Sequence, residues 1–135
     1  LRPTDAQMLN LLVAKAYFYT RARKPEQALA AAERVHQLTF RELRQDPKHP
    51  NALDVRMTYG MALGDAGRWE ESIRVLRAAV ADAAGALGPE ARTLAFYHSH
   101  LARYLLQAGE LREGAEQYAQ AAAMFARDPG AVQPY

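Results

Sequence analysis

One local pattern recurs three times along the chain and limits its fold more than any other feature. Residues 59–72 read Tyr-Gly-Met-Ala-Leu-Gly-Asp-Ala-Gly-Arg-Trp-Glu-Glu-Ser, and residues 101–114 read Leu-Ala-Arg-Tyr-Leu-Leu-Gln-Ala-Gly-Glu-Leu-Arg-Glu-Gly. Residues 15–28, Lys-Ala-Tyr-Phe-Tyr-Thr-Arg-Ala-Arg-Lys-Pro-Glu-Gln-Ala, are a weaker third copy. In each, a small residue (Ala16, Gly60, Ala102) precedes a larger one by three (Tyr19, Leu63, Leu105), and a second small residue follows (Ala28, Ser72, Gly114). Small residues at fixed places let two helices approach closely, and the large ones fill the space above and below. Gly67 and Gly109 fall where a tight turn favours a left-handed residue; Arg23 holds that place in the first copy.

The punctuation between the copies marks six helices. Pro25 has the form of a first helical position. Asp46-Pro47-Lys48-His49-Pro50 is a break, because two prolines three apart cannot share a helix interior. Gly64–Gly67, Gly85–Pro89, Gly109 and Asp128-Pro129-Gly130 are the other interruptions. Thr4 and Gln7 have the spacing of a capping box. Apolar residues recur at helical spacing over 4–22, 25–45, 51–65, 69–86, 90–107 and 111–127. In the fourth segment Trp69, Ile73, Leu76, Ala79 and Val80 share a stripe, and in the fifth Leu94, Tyr97, Leu101, Tyr104 and Leu105 do so. Nothing alternates with period two, so no strand is expected. The abundance of Ala, Leu, Arg, Glu and Gln agrees, since these are good helix formers. At 135 residues, half of them apolar, the chain has the size of one folded domain. The expected class is all-α.

The repeated segments resemble the tetratricopeptide (TPR) motif, whose core runs Leu-Ala, a spaced aromatic, then Gly, aromatic, Glu-Glu-Ala. The second copy carries it through Gly60, Leu63, Gly67, Trp69, Glu70, Glu71, Ser72, Leu76 and Ala79. The third does so through Leu101, Ala102, Leu105, Gly109, Leu111, Glu113, Gly114, Tyr118 and Ala121. The equivalent starts, residues 15, 59 and 101, are spaced by 44 and then 42 residues, whereas a standard TPR unit has about 34. The excess falls after the motif and amounts to roughly two helical turns, about 12–15 Å, so the second helix of each pair is expected to be long. That form is similar to the kinesin-light-chain type of TPR. Leu87-Gly88-Pro89-Glu90-Ala91-Arg92-Thr93-Leu94 resembles its inter-repeat linker, and Pro47-Lys48-His49-Pro50 with Leu53 echoes it. The resemblance implies an α–α superhelix of three helix pairs, at about 4–45, 51–86 and 90–127, in a domain of 1–127. Residues 128–135 are then expected to form a flexible tail.

Such arrays bind proteins, and they stand beside other domains in bacterial regulatory and signalling proteins. The implied role is capture of a peptide or helix of a partner protein in a concave groove lined by the first helix of each pair. By the TPR pattern the groove residues are Asn10, Val13, Tyr17 and Arg21 in the first repeat. They are Asp54, Met57, Met61 and Asp65 in the second, and Phe96, Ser99, Arg103 and Gln107 in the third. Tyr17, Met57, Met61 and Phe96 would form an apolar floor, with Met adapting to varied shapes. Arg21 and Arg103 would meet acidic groups. The Lys and Asn of TPR carboxylate clamps are replaced by Val13 and Tyr17, so a chaperone-tail clamp is not expected.

Other classes fit less well. No nucleophile motif, Gly-rich phosphate loop or cofactor signature exists, so no catalysis and no cofactor are expected. His98 and His100 point apart on a helix and lack the i, i+4 spacing of a metal pair, so no metal is expected. Arg41, Arg44, Arg74 and Arg77 recur on second helices, but Glu33, Glu42 and Asp82 interrupt them, and the net charge is only +2. That favours a solvated face over nucleic acid. No apolar run reaches the roughly 20 residues of a membrane span, and no signal peptide is visible. A cytoplasmic location follows as the expectation, for a chain that begins at Leu1 and reads as a piece of a longer protein. The alternative role is homodimerisation or scaffolding through helix 111–127, whose Tyr118, Ala122, Met124 and Phe125 offer more apolar surface than one partner helix covers.

Overall fold

Over residues 3–88 and 91–127, which the computed structural model describes, the chain forms six α-helices. They are α1 (Pro3–Arg21), α2 (Pro25–Gln37), α3 (Pro50–Asp65), α4 (Trp69–Leu87), α5 (Arg92–Gln107) and α6 (Leu111–Arg127). Among the described residues there is no strand. Helices α1 and α2, α3 and α4, and α5 and α6 pack as pairs, and α2 meets α3 as α4 meets α5. The product is an α–α superhelix of three helix pairs.

Each pair is closed by one turn used three times. Lys24 N–H donates to Tyr19 C=O at 2.9 Å, Arg68 to Leu63 at 2.9 Å, and Glu110 to Leu105 at 2.8 Å. These bonds span five residues and close a Schellman turn, which needs a left-handed residue just before the donor. Gly67 (φ 85°) and Gly109 (φ 90°) supply it without strain. Arg23 adopts the same conformation at φ 58°, although a side chain there costs about 1–2 kcal/mol. The turn survives in the first pair because the packing of both helices dictates it. Substituting Arg23→Gly should therefore raise stability by about 1 kcal/mol, seen as a higher thermal midpoint with an unchanged circular dichroism spectrum.

The small residues act as their size leads one to expect. A Cβ on Gly60 would stand 2.6 Å from Leu76 Cδ2, and one on Gly114 would stand 2.6 Å from Leu106 Cδ2. Ser72, fully buried, donates its hydroxyl to Gly60 C=O at 2.6 Å and ties α4 to α3. A buried hydroxyl left without a partner would cost about 1–3 kcal/mol, so this bond lets the motif hold Ser where Ala is usual. The larger apolar cluster joins Ile73, Leu76 and Val80 of α4 to Leu94, Tyr97, Leu101 and Tyr104 of α5. A smaller one joins Ala16, Leu29 and Ala32 to Ala62 and Leu63.

Two helix ends differ from the expectation. Helix α1 starts at Pro3, so Thr4 is a helical residue and not the cap of a capping box. The second helix of the first pair keeps α-helical bonds only to Gln37, then widens into a π-helical turn over Leu38–Glu42. Leu43 N–H accordingly bonds Leu38 C=O at 2.8 Å, five residues back. The lengthened second helix is realised without interruption in α4, which runs for 19 residues. Between the first two pairs, Asp46 Oδ1 accepts from Lys48 N–H at 3.0 Å, and His49 Nδ1 accepts from Asn51 N–H at 3.2 Å, which caps α3 ahead of Pro50. Part of the second linker (Pro89 and Glu90) and the segment 128–135 lie outside the described residues.

Candidate partner-binding groove

The first helices of the pairs, α1, α3 and α5, converge on one side and enclose two adjoining depressions of about 290 Å³ and 180 Å³. Both are lined by Tyr17 of α1, Thr58 and Met61 of α3, and His100 of α5. The larger adds Arg21, Asp65 and Arg103, and the smaller adds Val13, Asp54 and Met57. An open trough beyond them is bordered by Arg23, Asp65, Arg103 and Gln107. Asn10 and Val13 line a fourth hollow at the opposite end, beside Thr39 of the π-helical turn. The structure thus brings ten of the twelve expected residues to one continuous face.

Their roles within that face differ from one another. Met57 is 1% exposed and belongs to the core cluster, so it supports the floor and presents almost no surface. Met61 and Val13 are only partly buried, and Tyr17 is 55% exposed, which leaves these three as the apolar groups open at the surface of the two depressions. Asp54 and Asp65 are both engaged by tyrosines of α5. Tyr97 donates its hydroxyl to Asp54 Oδ1, and Tyr104 donates to Asp65 Oδ1 at 2.8 Å. Arg103 Nη2 donates to the Tyr104 oxygen at 2.7 Å, and its guanidinium carbon lies 4.7 Å from that ring's centre. Burial, followed by the bond to the neighbouring carboxylate, pushes both phenols well above the ordinary tyrosine range. They remain donors at any physiological pH.

Phe96 and Ser99 do not join the depressions. Phe96 meets Phe125 of α6 edge-on, ring centres 5.1 Å apart, and Ser99 returns its hydroxyl to Phe96 C=O at 2.8 Å. In place of Phe96 the floor uses His100 and Thr58, one helical position from the residues that the motif marks. The two histidines of α5 separate as their spacing requires. His98 is buried with Nδ1 2.6 Å from Gln117 Oε1 on α6, whereas His100 faces the groove. Among the described residues no three His, Cys, Asp or Glu side chains gather as a metal site would need. None of the described helices is long and apolar enough to cross a membrane.

His100 is held below the usual imidazole pKa, first by burial and then by the Arg103 charge. His36, which rests on Tyr59 with ring centres 4.5 Å apart, is lowered by burial, then by Arg56 and Arg41. A lowered folded-state value means that the unfolded chain takes up the proton first as pH falls. The stability carried by the neutral rings is complete above about pH 6.5 and is lost as the pH drops below it. The thermal midpoint should fall between pH 7.5 and pH 5, and a His36→Gln/His100→Gln variant should lose less over that interval. An equal loss in the variant would place the acid sensitivity elsewhere.

With this geometry in view, solved structures offer a direct comparison. TPR-like repeats assigned to a kinesin light chain of Podosopora anserina superimpose with a TM-score of 0.81 at 22% identity, over 92% of this chain and 60% of that one. A variant form of the same protein gives 0.80, with the same identity and coverage. The fold is a TPR-like helical repeat. This chain therefore spans 60% of the length of those structures, and at such identity the likeness speaks for architecture alone. No protein-family model matches the sequence, and no curated protein does so. The TPR-like architecture accounts for the three Schellman turns and the small residues at the helix crossings.

Proposed function

We propose that the chain is a non-catalytic protein-binding module that holds an extended or helical segment of a partner across α1, α3 and α5. Its repeats lie at about 4–45, 51–86 and 90–127, and the module belongs within a bacterial regulatory or signalling protein. One observation carries this reading: the adjoining depressions that Tyr17, Met61 and His100 share, rimmed by Arg21 and Arg103. Asp54 and Asp65 each have one carboxylate oxygen occupied by the hydroxyl of Tyr97 or Tyr104, whereas Arg21 and Arg103 rim the larger depression with donors that can reach a ligand. The fitting ligand presents an apolar side chain to Tyr17 and Met61 and a carboxylate to the arginines.

The opposite surface supports a protein partner over nucleic acid. Arg77 is clamped in two-pronged fashion by Glu113, at 2.9 Å and 2.6 Å. Arg34 pairs with Glu42 at 3.0 Å, and Arg68 with Glu71 at 2.9 Å and Glu33 at 3.5 Å. Paired arginines make a solvated, mixed surface and not a bare cationic stripe.

A combined Tyr17→Ala, Met61→Ala and Arg103→Ala variant is expected to lose at least about tenfold in affinity for partners captured by the wild-type chain. The circular dichroism spectrum should stay helical. Undiminished binding by a folded variant would remove the groove from consideration, and insensitivity of binding to salt would remove the carboxylate.

A further inference from the structure

Inside the chain, one helix pair docks on the next through a surface that is used twice. The docking helix contributes Val55 and Ala62 on α3, and Tyr97 and Tyr104 on α5, all four buried. Ala62 packs with Ala16, Leu29 and Ala32 of the preceding pair, and Tyr97 and Tyr104 pack with Ile73, Leu76 and Val80. The receiving helix contributes Leu29 and Ala32 on α2, and Ile73 and Leu76 on α4, again buried.

The repeat register extends both halves of this interface to the two ends of the described stack. Counting back from α5 and α3, Leu11 and Phe18 of α1 occupy the docking positions. There they are 69% and 65% exposed. Counting forward from α2 and α4, Ala115 and Tyr118 of α6 occupy the receiving positions. Ala115 is exposed and Tyr118 is 41% exposed. One end thus shows the docking half, and the other shows the receiving half, of an interface that the chain already builds twice.

We infer that a second copy of this chain stacks head to tail, with α1 of one copy seated on α5 and α6 of the next as α3 is seated on α1 and α2. A second copy is the occupant because it carries both complementary faces in the correct register. The contact is heterologous, so it does not close at two and yields a ladder of species. Lys15 stands at the position of Tyr59 and Leu101. An ammonium there must keep its head in water, which makes the association reversible and concentration-dependent. The outer faces of α1 and α6 form this contact, whatever the groove binds.

Sedimentation velocity on the whole chain, from micromolar to millimolar concentration, tests it through complementation. The wild-type mass should climb past that of a dimer. Phe18→Asp, which spoils only the docking half, and Tyr118→Asp, which spoils only the receiving half, should each be monomeric where the wild type assembles. Their mixture should form a one-to-one dimer that grows no further, because each variant keeps the half the other lacks. Ala115→Arg replaces Tyr118→Asp if the latter lowers helicity. A wild-type monomer throughout, a wild-type assembly that stops at two, or a mixture that stays monomeric would each overturn the proposal. Loss of groove binding by the triple variant leaves this outcome untouched, so the two readings fail separately.

Discussion

Tyr104→Ala should lower the stability of the domain by about 4 kcal/mol, which appears as a fall in thermal midpoint on the order of 10 °C. The size follows from the number of separate roles that one side chain fills. The ring is fully buried in the larger cluster and lies 6.4 Å from the centre of Trp69. It fits against Gly64, where any Cβ would overlap it. Its hydroxyl joins α5 to α3 through Asp65 and accepts from Arg103. Removing the ring leaves a cavity between two helix pairs and strands Arg103 at the groove rim. Tyr104→Phe isolates the polar part. With Asp65 open to solvent, its carboxylate can rehydrate, so the loss should be about 1 kcal/mol. Equal losses in the two variants would show that the hydroxyl, and not the packing, dominates.

Gly60→Val is expected to cost about 2–3 kcal/mol. A valine gains helix propensity over glycine, worth a few tenths of a kcal/mol. Against that gain stands overlap with Leu76 Cδ2 at 2.6 Å, Leu76 Cγ at 2.7 Å and Val75 Cγ1 at 3.3 Å, and overpacking of a closed core outweighs it. Leu76 is fully buried and has no solvent-facing rotamer to retreat to. Gly85 serves as the internal control, because it lies in α4 with nothing within 4 Å of the position a Cβ would take. Gly85→Ala should stabilise by about 1 kcal/mol through propensity alone. In a Leu76→Ala background the Gly60→Val penalty should vanish, since the side chain in its way is gone. Persistence of the penalty there would mean that the α3–α4 crossing is not set by this contact. Both measurements are reversible thermal or urea unfolding followed by circular dichroism.

The architecture is legible in the residues because it rests on short-range rules. Left-handed turn residues, small residues at crossings and apolar stripes repeat in phase, and each acts within one helix pair. The second and third copies show these rules openly. Arg23 disguises the first, yet its backbone adopts the same turn. Less legible is anything set by the tilt of one pair on the next. The motif marks Asp54 and Asp65 as groove positions, and they border the depressions between α1, α3 and α5, but their partners are tyrosines 43 and 39 residues away. No spacing rule within a repeat connects them. Met57 shares a helical face with Met61, yet a small rotation of α3 sinks one into the core and leaves the other at the surface. Phe96 similarly turns toward Phe125, and His100 takes the place on the floor. The π-helical turn at Leu38–Glu42 also leaves no mark in the apolar periodicity, which continues past Gln37 without a break.

The two tyrosine–aspartate bonds between α3 and α5 have a geometric consequence. One joins Asp54, in the first turns of α3, to Tyr97 near the start of α5, and the other joins Asp65, the last residue of α3, to Tyr104. A rod fastened at a single point can still swivel, but a rod fastened at two points has its direction fixed. Sliding α5 along α3 would stretch both bonds together, and rotating it would lift Tyr104 off Gly64. The curvature of this half of the superhelix is therefore built in during folding. A segment bound as proposed against Met61 and Arg103 would meet a surface of preset width, and the ordering cost of binding would fall on the visitor and not on the host.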